Sequence, residues 1–388
     1  MTRKEFIKLS MVLGVGLPIQ APLSSCNKDD DSLLNDLEKV IIIGAGAAGL
    51  SAAYLLNQKG IDVQVLEATS KYGGRMKRTL DFADFPIPLG AEWLHVEREI
   101  FDEIINDFSV QININTTPYN PDIDFGIYDG NQVSIEELGV ENDQKFINST
   151  WFDFFEQYII PSIEGQITYN KPVESIDYTG DNIIVKSVNE DFTADRIIIT
   201  VPVQILQNGG ITFTPELSNT KADAINNVTV WDGCKAFIEF SEKFYPAFTE
   251  FEISPESAGQ KLYYDAAYGQ STSQNILGFF AVGMAAIPYL NLSDTELRTY
   301  MLTELDEIFA GQASTNYVRH IFQNWNDEPF INGAYVSDYE DRIKIRNLGE
   351  SVDDKLFFAG DSYTTGNDWG SVHAAARSAN RAVQELVG

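Results

Sequence analysis

The sequence predicts an α/β fold that opens with a dinucleotide-binding βαβ unit, and three observations predict it. Lys39-Val40-Ile41-Ile42-Ile43 is a continuous β-branched run, Gly44-Ala45-Gly46-Ala47-Ala48-Gly49 follows directly, and a second apolar strand ends in Glu67. A run apolar at every position suits a parallel strand covered on both faces. Residues 50–58, rich in alanine and leucine, read as a helix that stops near Gly60. In the turn between them, Gly44 permits the tight bend, Gly46 lets a pyrophosphate approach the backbone, and Gly49 lets the helix pack on the strand. Gly44, Gly46, Ala48 and Gly49 are therefore the expected cofactor contacts, with helix amide groups aimed at the phosphates. Asp62-Val63-Gln64-Val65-Leu66 is the next strand, and Glu67 at its end can accept both ribose hydroxyl protons and disfavours a 2′-phosphate. A glycine-rich structural turn is the competing reading of the fingerprint. The strand before it, the helix after it and the acid at the second strand end argue against that.

Length and composition bound the rest. A chain of 388 residues can form two packed domains or one large interrupted domain. Hydrophobic residues at 44% and charged residues at 22% describe a folded globular protein. The 57 acidic and 27 basic residues give a formal charge of −30, which repels polyanions and excludes nucleic acid as an expected partner. The same field attracts cationic small molecules, although an acidic surface is also a common solubility feature. With 3 histidines and 2 cysteines, no metal-ligand cluster is expected.

Residues 1–36 read as a targeting segment and linker outside the fold. Arg3, Lys4 and Lys8 give a positive start, and residues 11–19 form an apolar run too short to span a bilayer. Leu23-Ser24-Ser25-Cys26 resembles a bacterial lipobox, in which Cys26 becomes the lipidated first residue. The following Asn27-Lys28-Asp29-Asp30-Asp31 resembles a surface-export signal of such lipoproteins, and Arg3-Lys4-Glu5-Phe6-Ile7-Lys8 resembles a degenerate twin-arginine signal, with Lys4 in place of an arginine. The expected location is the outer-membrane surface, held by lipidated Cys26, with the periplasm as the alternative. An unprocessed tail is the simpler reading. Lipidation of Cys26 would leave Cys234 alone, so no internal disulfide is expected.

Gly73-Gly74-Arg75, shortly after Glu67, selects among dinucleotides. It continues the fingerprint in the form found in flavoproteins with two dinucleotide-binding domains, which makes FAD the expected cofactor. Gly74 allows backbone approach, and Arg75 places charge beside phosphate or flavin. From here the chain resembles the flavin amine oxidase family, which includes monoamine, polyamine and L-amino-acid oxidases, and the resemblance recurs along nearly all of the mature sequence. Pro88-Leu89-Gly90-Ala91-Glu92-Trp93-Leu94-His95 is similar to the segment beside the flavin in its polyamine-oxidase form, so that Gly90, Ala91, Glu92 and Trp93 are implied cofactor contacts. Pro172-Val173-Glu174-Ser175-Ile176 resembles the strand whose valine backbone, here Val173, meets the adenine. Residues 195–202 resemble the strand and turn that close the nucleotide domain. Leu356-Phe357-Phe358-Ala359-Gly360-Asp361 resembles the second FAD fingerprint, with Gly360 and Asp361 at the ribityl chain, although Asp361 also suits an ordinary cap. Trp369-Gly370-Ser371-Val372-His373 opens an alanine-rich helix, and free amides at Ser371 and Val372 could stabilise negative charge on the flavin ring.

The resemblance also implies a reaction, in which FAD takes a hydride from the carbon beside an amine nitrogen and O2 then removes the electrons. The products are an imine, then an aldehyde or ketone, and hydrogen peroxide. Lys235 matches the family lysine that faces the flavin through a water and promotes reoxidation, because a nearby positive charge stabilises negative charge developing on oxygen. Alternation along the strand equally allows Lys235 on a solvated face with Glu239. Tyr335 matches one wall of the aromatic cage that holds the amine and excludes water, or else is a packed core tyrosine. Ala334 stands where monoamine oxidases place a flavin-linking cysteine, which implies non-covalent FAD. The second cage wall falls on Ser371, which is not aromatic, and Trp369 or another ring would have to supply it. His95 occupies a substrate-binding position of polyamine oxidases, with Glu92 as a second candidate. No arginine stands near Trp93 to bind a substrate carboxylate, which counts against an amino acid.

Two interleaved domains follow. Residues 37–95, 168–233 and 333–388 are expected to build the Rossmann-like FAD domain, and 96–167 and 234–332 a mixed-sheet substrate domain. Residues 212–227 and 292–309 read as helix-bearing connections around an antiparallel sheet. The stretch 96–166 is short for the family's helical cap. That leaves a site open to solvent or one completed by another copy of the chain. A related flavin enzyme acting on a non-amine, and a flavin-binding surface protein without catalysis, are the alternatives to an amine oxidase.

Overall fold

The computed structural model describes residues 39–119, 125–136, 143–251 and 259–388, so the segment expected to direct export, with Cys26, lies outside the described residues. Five strands form a wholly parallel sheet: β1 (Val40–Ile43), β2 (Val63–Leu66), β3 (Ile167–Thr168), β4 (Arg196–Ile199) and β5 (Leu356–Phe358). Their spatial order is β5, β4, β1, β2, β3. β1 is central, and its side chains alternate between two cores. Val40 and Ile42 join a helical layer, Ile41 and Ile43 a layer of strands. None of the four is more than 3% exposed, which is why the strand is apolar at every position. Each such side chain contributes about 1.5–3 kcal/mol when buried.

The helical layer pairs α1 (Ala47–Gln58) with α2 (Val372–Val387). Alanines at positions 48, 52, 53, 375, 379 and 382 are buried in this layer, and their small side chains let the two helix backbones come close. The short helices Ile100–Ile105, Trp151–Tyr158 and Ile160–Ile163, expected in the substrate half, pack in this same core. On the opposite face lies a four-stranded sheet in the order Glu190–Ala194, Ile183–Ser187, Val173–Asp177, Thr212–Thr214. The nucleotide half is thus a three-layer sandwich assembled from both ends of the described chain.

The second half is built on a seven-stranded sheet. Its order is Tyr317–Asn324, Gly233–Phe240, Asn275–Gly283, Gly259–Asp265, Phe248–Phe251, Phe125–Tyr128, Val133–Glu136. All pairings are antiparallel except that of Phe248–Phe251 with Phe125–Tyr128, so the sheet is mixed. One face is covered by the helix Asp294–Ile308, which buries Leu297, Met301 and Leu305. Ser293 and Glu296 cap that helix reciprocally, satisfying two otherwise orphaned backbone donors. The helices expected within 212–227 and 292–309 are found at Asn219–Asn227 and Asp294–Ile308.

Candidate active site

A continuous cavity of about 2450 Å3 runs between the two halves, from the glycine turn to the second sheet. A single ligand site occupies about 300–1,000 Å3, so this cavity has room for a large cofactor and a second molecule. Its walls include every one of the expected site residues from Gly44 to Val372 except Gly49, which lies buried behind the turn.

The glycine turn separates into structural and ligand-facing positions. Gly44 sits at φ +102°, and a Cβ there would stand 2.8 Å from the Thr200 hydroxyl. A Cβ on Gly49 would fall 1.9 Å from the Gly44 carbonyl oxygen, so packing alone demands glycine. Gly46 is different. Its backbone is extended, at φ −82° and ψ −172°, and a Cβ there would meet nothing within 4 Å. Protein packing does not require glycine at Gly46, and the empty space in front of it is where a pyrophosphate would lie. Ala48 is buried on the first turn of α1, behind that space.

Glu67 closes the turn. One oxygen accepts from the Ala45 amide at 2.8 Å, and the other accepts from the Thr69 amide at 2.9 Å and the Thr69 hydroxyl at 2.8 Å. Three of its roughly four acceptor positions are used, leaving capacity for a ribose hydroxyl. Val173 is buried at the cavity edge, at the start of a strand paired with Ile183–Ser187.

Arg75, held by the Gly73-Gly74 turn, reaches the opposite end of the chain. Its guanidinium donates to Asp361 at 2.6 Å and to the Ala334 carbonyl. This ion pair ties the first nucleotide motif to the second, so the charge of Arg75 is shared with Asp361 beside Gly360. Ser371 caps α2, its hydroxyl accepting from the Ala374 amide at 3.1 Å. Val372 begins that helix at the cavity wall, where the unpaired first-turn amides present partial positive charge.

The most heavily charged interior point is a cluster of Lys235, Glu92, Lys145 and Tyr264, each no more than 7% exposed. Lys235 donates to the Pro88 and Gly90 carbonyls, each at 3.1 Å, and to Glu92 at 2.6 Å. All three of its N–H groups are therefore used. Lys145 donates to the Asp265 and Ala266 carbonyls, each at 3.1 Å, and stands 3.4 Å from the other Glu92 oxygen. The Tyr264 hydroxyl also donates to Glu92. Burial pushes the Glu92 carboxyl up, but the charges of Lys235 and Lys145 and hydrogen bonds from Lys235 and Tyr264 outweigh it and hold Glu92 below its ordinary value. Burial pulls both ammonium groups down, with Glu92 opposing. The solvated alternative for Lys235 is excluded by its burial. Glu92 already accepts from Lys235 and Tyr264 and stands 3.4 Å from Lys145, so any substrate nitrogen would have to share it with these partners.

Lys145 and Tyr264 carry no sequence signal of their own. Lys145 is flanked by Gln144 and Phe146 in a short strand and is brought to Glu92 only by tertiary packing. Trp93 packs edge-on against Tyr264, with ring centroids 4.7 Å apart, and its Nε1 has no partner among the described residues.

His95 stands at the rim, half exposed, with Nδ1 3.1 Å from Asp143. The ring of Tyr335 packs beside Trp231, centroids 5.9 Å apart, and Gly370 abuts it so closely that a Cβ there would come within 3.2 Å of the ring. Trp369 donates to the Ser337 carbonyl at 3.1 Å and packs against the nucleotide-half core. Asp338 completes this corner of the cavity. Burial raises its carboxyl to about 6, with the charge of His95 pulling the other way. Among the described residues no group of three or more His, Cys, Asp or Glu could hold a metal ion.

Comparison with known proteins agrees with this geometry. The family described as "Flavin containing amine oxidoreductase" matches residues 155–387, and the "NAD(P)-binding Rossmann-like domain" matches residues 42–108. The mouse protein "Lysine-specific histone demethylase 1B" is 29% identical over 50% of this chain, which spans only 25% of that protein's length. "Polyamine oxidase 3" of rice is 23% identical over 89% of this chain and 88% of its own. Among solved structures, a putrescine oxidase bound to putrescine has the same fold, with a TM-score of 0.70, 15% identity, and coverage of 90% of this chain and 99% of the other. The fit of the open space at Gly46, the acceptor capacity at Glu67 and the Arg75–Asp361 tie to an extended dinucleotide agrees with a family match over more than half of the sequence. The chain belongs to the flavin containing amine oxidoreductases, and FAD is its cofactor.

Proposed function

We propose that the protein is an FAD-dependent amine oxidase acting on a small-molecule amine. The carrying observation is the single cavity that joins the space at Gly46 to Lys235, Tyr335 and His95. Bound there, FAD would supply the redox chemistry, taking up a hydride from the carbon beside nitrogen while the nitrogen gives up a proton, and passing both electrons to O2, so that the products are an imine and hydrogen peroxide. The chain's residues do the rest. The Gly46 backbone and the first turn of α1 hold the pyrophosphate, and Glu67 accepts from the ribose. Asp361 and Arg75 fix the second motif. The first-turn amides of α2 stabilise negative charge on the ring system. Tyr335 shapes the amine site, and the His95 imidazole accepts a hydrogen bond from the amine nitrogen. Lys235 and Lys145, sharing one carboxylate, leave a net positive charge close by, which favours electron transfer to oxygen. Ala334 offers no thiol, and Cys234 is buried with its thiol pushed far up by burial, so FAD binds non-covalently.

A second reading rests on the saturation of Lys235. With all three N–H groups engaged, it has none to spare for a water or oxygen, which favours a dehydrogenase passing electrons to another acceptor. Anaerobic stopped-flow mixing with a panel of mono-, di- and polyamines tests both readings. Bleaching of the oxidised flavin band is expected, followed by rapid recovery on adding O2. No bleaching with any amine rejects amine oxidation, and recovery with a dye acceptor but not with O2 selects the dehydrogenase.

The lipobox at Cys26 supports attachment to the outer-membrane surface. Replacing Cys26 with serine is expected to move the protein from the membrane to the soluble fraction, and unchanged membrane association would overturn this location. Among the described residues no helix is long and apolar enough to cross a membrane.

A further inference from the structure

The partly buried carboxylates that line the cavity are, with one exception, already engaged. Glu67 holds the glycine turn, Glu92 two lysines, Asp361 Arg75, Glu328 Lys77, Asp368 His373, and Asp143 His95. Glu250 also has a partner. The exception is Asp338, which accepts no hydrogen bond from the described residues and forms no ion pair with them, although it is partly buried at the cavity wall.

Its position is fixed rather than loose. The neighbouring Ser337 donates its amide to the Thr229 carbonyl at 2.9 Å and accepts the Trp369 indole N–H on its own carbonyl at 3.1 Å. The Ser337 hydroxyl accepts from the Tyr339 amide at 3.2 Å. The carboxylate is therefore held in a corner of the cavity that it shares with the ring of Tyr335 and with His95, and Tyr339 follows it in the chain on the exposed side. Tyr335 and Tyr339 both lie close enough for Asp338 to raise their phenols, in each case after burial. Both rings pack on Trp231, at 5.9 and 6.0 Å between centroids.

A partly buried carboxylate without a partner is costly to keep, and the cost falls when a cation arrives. Aromatic faces beside an anion suit an organic ammonium in particular, because ring and carboxylate attract it together while its carbon atoms remain in apolar contact. We propose that Asp338, with the ring of Tyr335, forms the subsite that receives a positively charged ammonium group of the substrate. Asp338 is then a specificity residue that binds a cation rather than one that moves the hydride. The inference rests on the amine-oxidase reading for the identity of its natural ligand, but the subsite can be tested without turnover.

The probe is tetramethylammonium, whose nitrogen lacks the lone pair that hydride loss requires. Its binding to the holoprotein is followed by the flavin difference spectrum and by calorimetry at constant ionic strength. At pH 7.5 Asp338→Asn is expected to weaken binding at least tenfold, and Asp338→Glu to restore most of it. Flavin content and thermal midpoint should stay as in the wild type. Affinity should fall as pH drops through about 6, where the Asp338 carboxyl takes up a proton. The other titratable and charged groups that act on this corner are His95, Tyr335, Tyr339 and Asp361, so the Asp338→Asn variant must lose that pH step.

Equal binding by wild type and Asp338→Asn overturns the subsite, as does a loss confined to variants that also lose flavin. With amines that reduce the flavin, Asp338→Asn should raise KM at least tenfold and change kcat less than threefold. An unchanged KM rejects the subsite while the oxidase reading stands. Tetramethylammonium binding that depends on Asp338 in a protein no amine can reduce would reject the oxidase reading while the subsite stands.

Discussion

The glycine turn and the buried lysine cluster lie in one cavity and are built in opposite ways. The turn holds its ligand with backbone and empty space. Its three glycines stand within six consecutive positions, and the residue that matters most to a pyrophosphate, Gly46, is the one the protein itself does not require. The cluster is made of charge. Glu92, Lys145, Lys235 and Tyr264 come from four separate segments, and each is held by the others. The difference teaches where robustness lies: the turn should tolerate change at Gly46 without unfolding, and the cluster should tolerate almost none.

The largest expected effect tests the cluster. Glu92→Gln leaves the buried Lys235 without a counter-charge and Lys145 with Asp265 alone, and removing one partner of a buried pair costs about 3–5 kcal/mol. Urea unfolding of the apoprotein measures it, and a loss below about 1 kcal/mol would mean that the cluster does not hold the interface together. A smaller effect tests the turn. Gly46→Asp keeps a favoured helix N-cap and suits the helix dipole, so apoprotein stability should stay within about 0.5 kcal/mol or rise. Flavin affinity should nevertheless fall at least a hundredfold, about 2.7 kcal/mol, because the carboxylate fills and repels the phosphate space. If stability and affinity fall together, the turn is no more separable than the cluster. The smallest effect is in acid. Glu92 is held below its ordinary value of 4.5, so its contribution is complete above that pH and is lost as pH falls through the folded-state value. The stability gap between wild type and Glu92→Gln should narrow below pH 4.5, and a gap that stays constant would place the carboxylate's role in packing rather than charge.

The same contrast explains what could be read in the sequence. β1, its glycine turn, β2 and Glu67 form one local unit in which period, spacing and end residue agree, and the structure reproduces it within a few residues. The distant Gly360-Asp361 was legible only through its resemblance to a known motif, and its pairing with Arg75 was not legible at all. Lys235 was singled out by the resemblance of its strand to a family segment, yet its burial depended on Glu92 and Lys145 arriving from elsewhere. Lys145 and Asp338 carried no signal. A lysine in a short strand and an aspartate in a turn read as solvated until packing is known, because their environments are created by segments far away in the chain.

The pairing of α1 with α2 has a consequence for when the protein can take up its flavin. α1 carries the glycine turn near the start of the described chain, and its packing partner, with Ser371 and Val372 at the ligand wall, comes from the far end of the described residues. Until α2 docks on α1, the chain therefore presents only an open half of the nucleotide cleft. Flavin loading must follow that docking, and truncation within this sixteen-residue helix should yield colourless protein even though every reactive side chain is present.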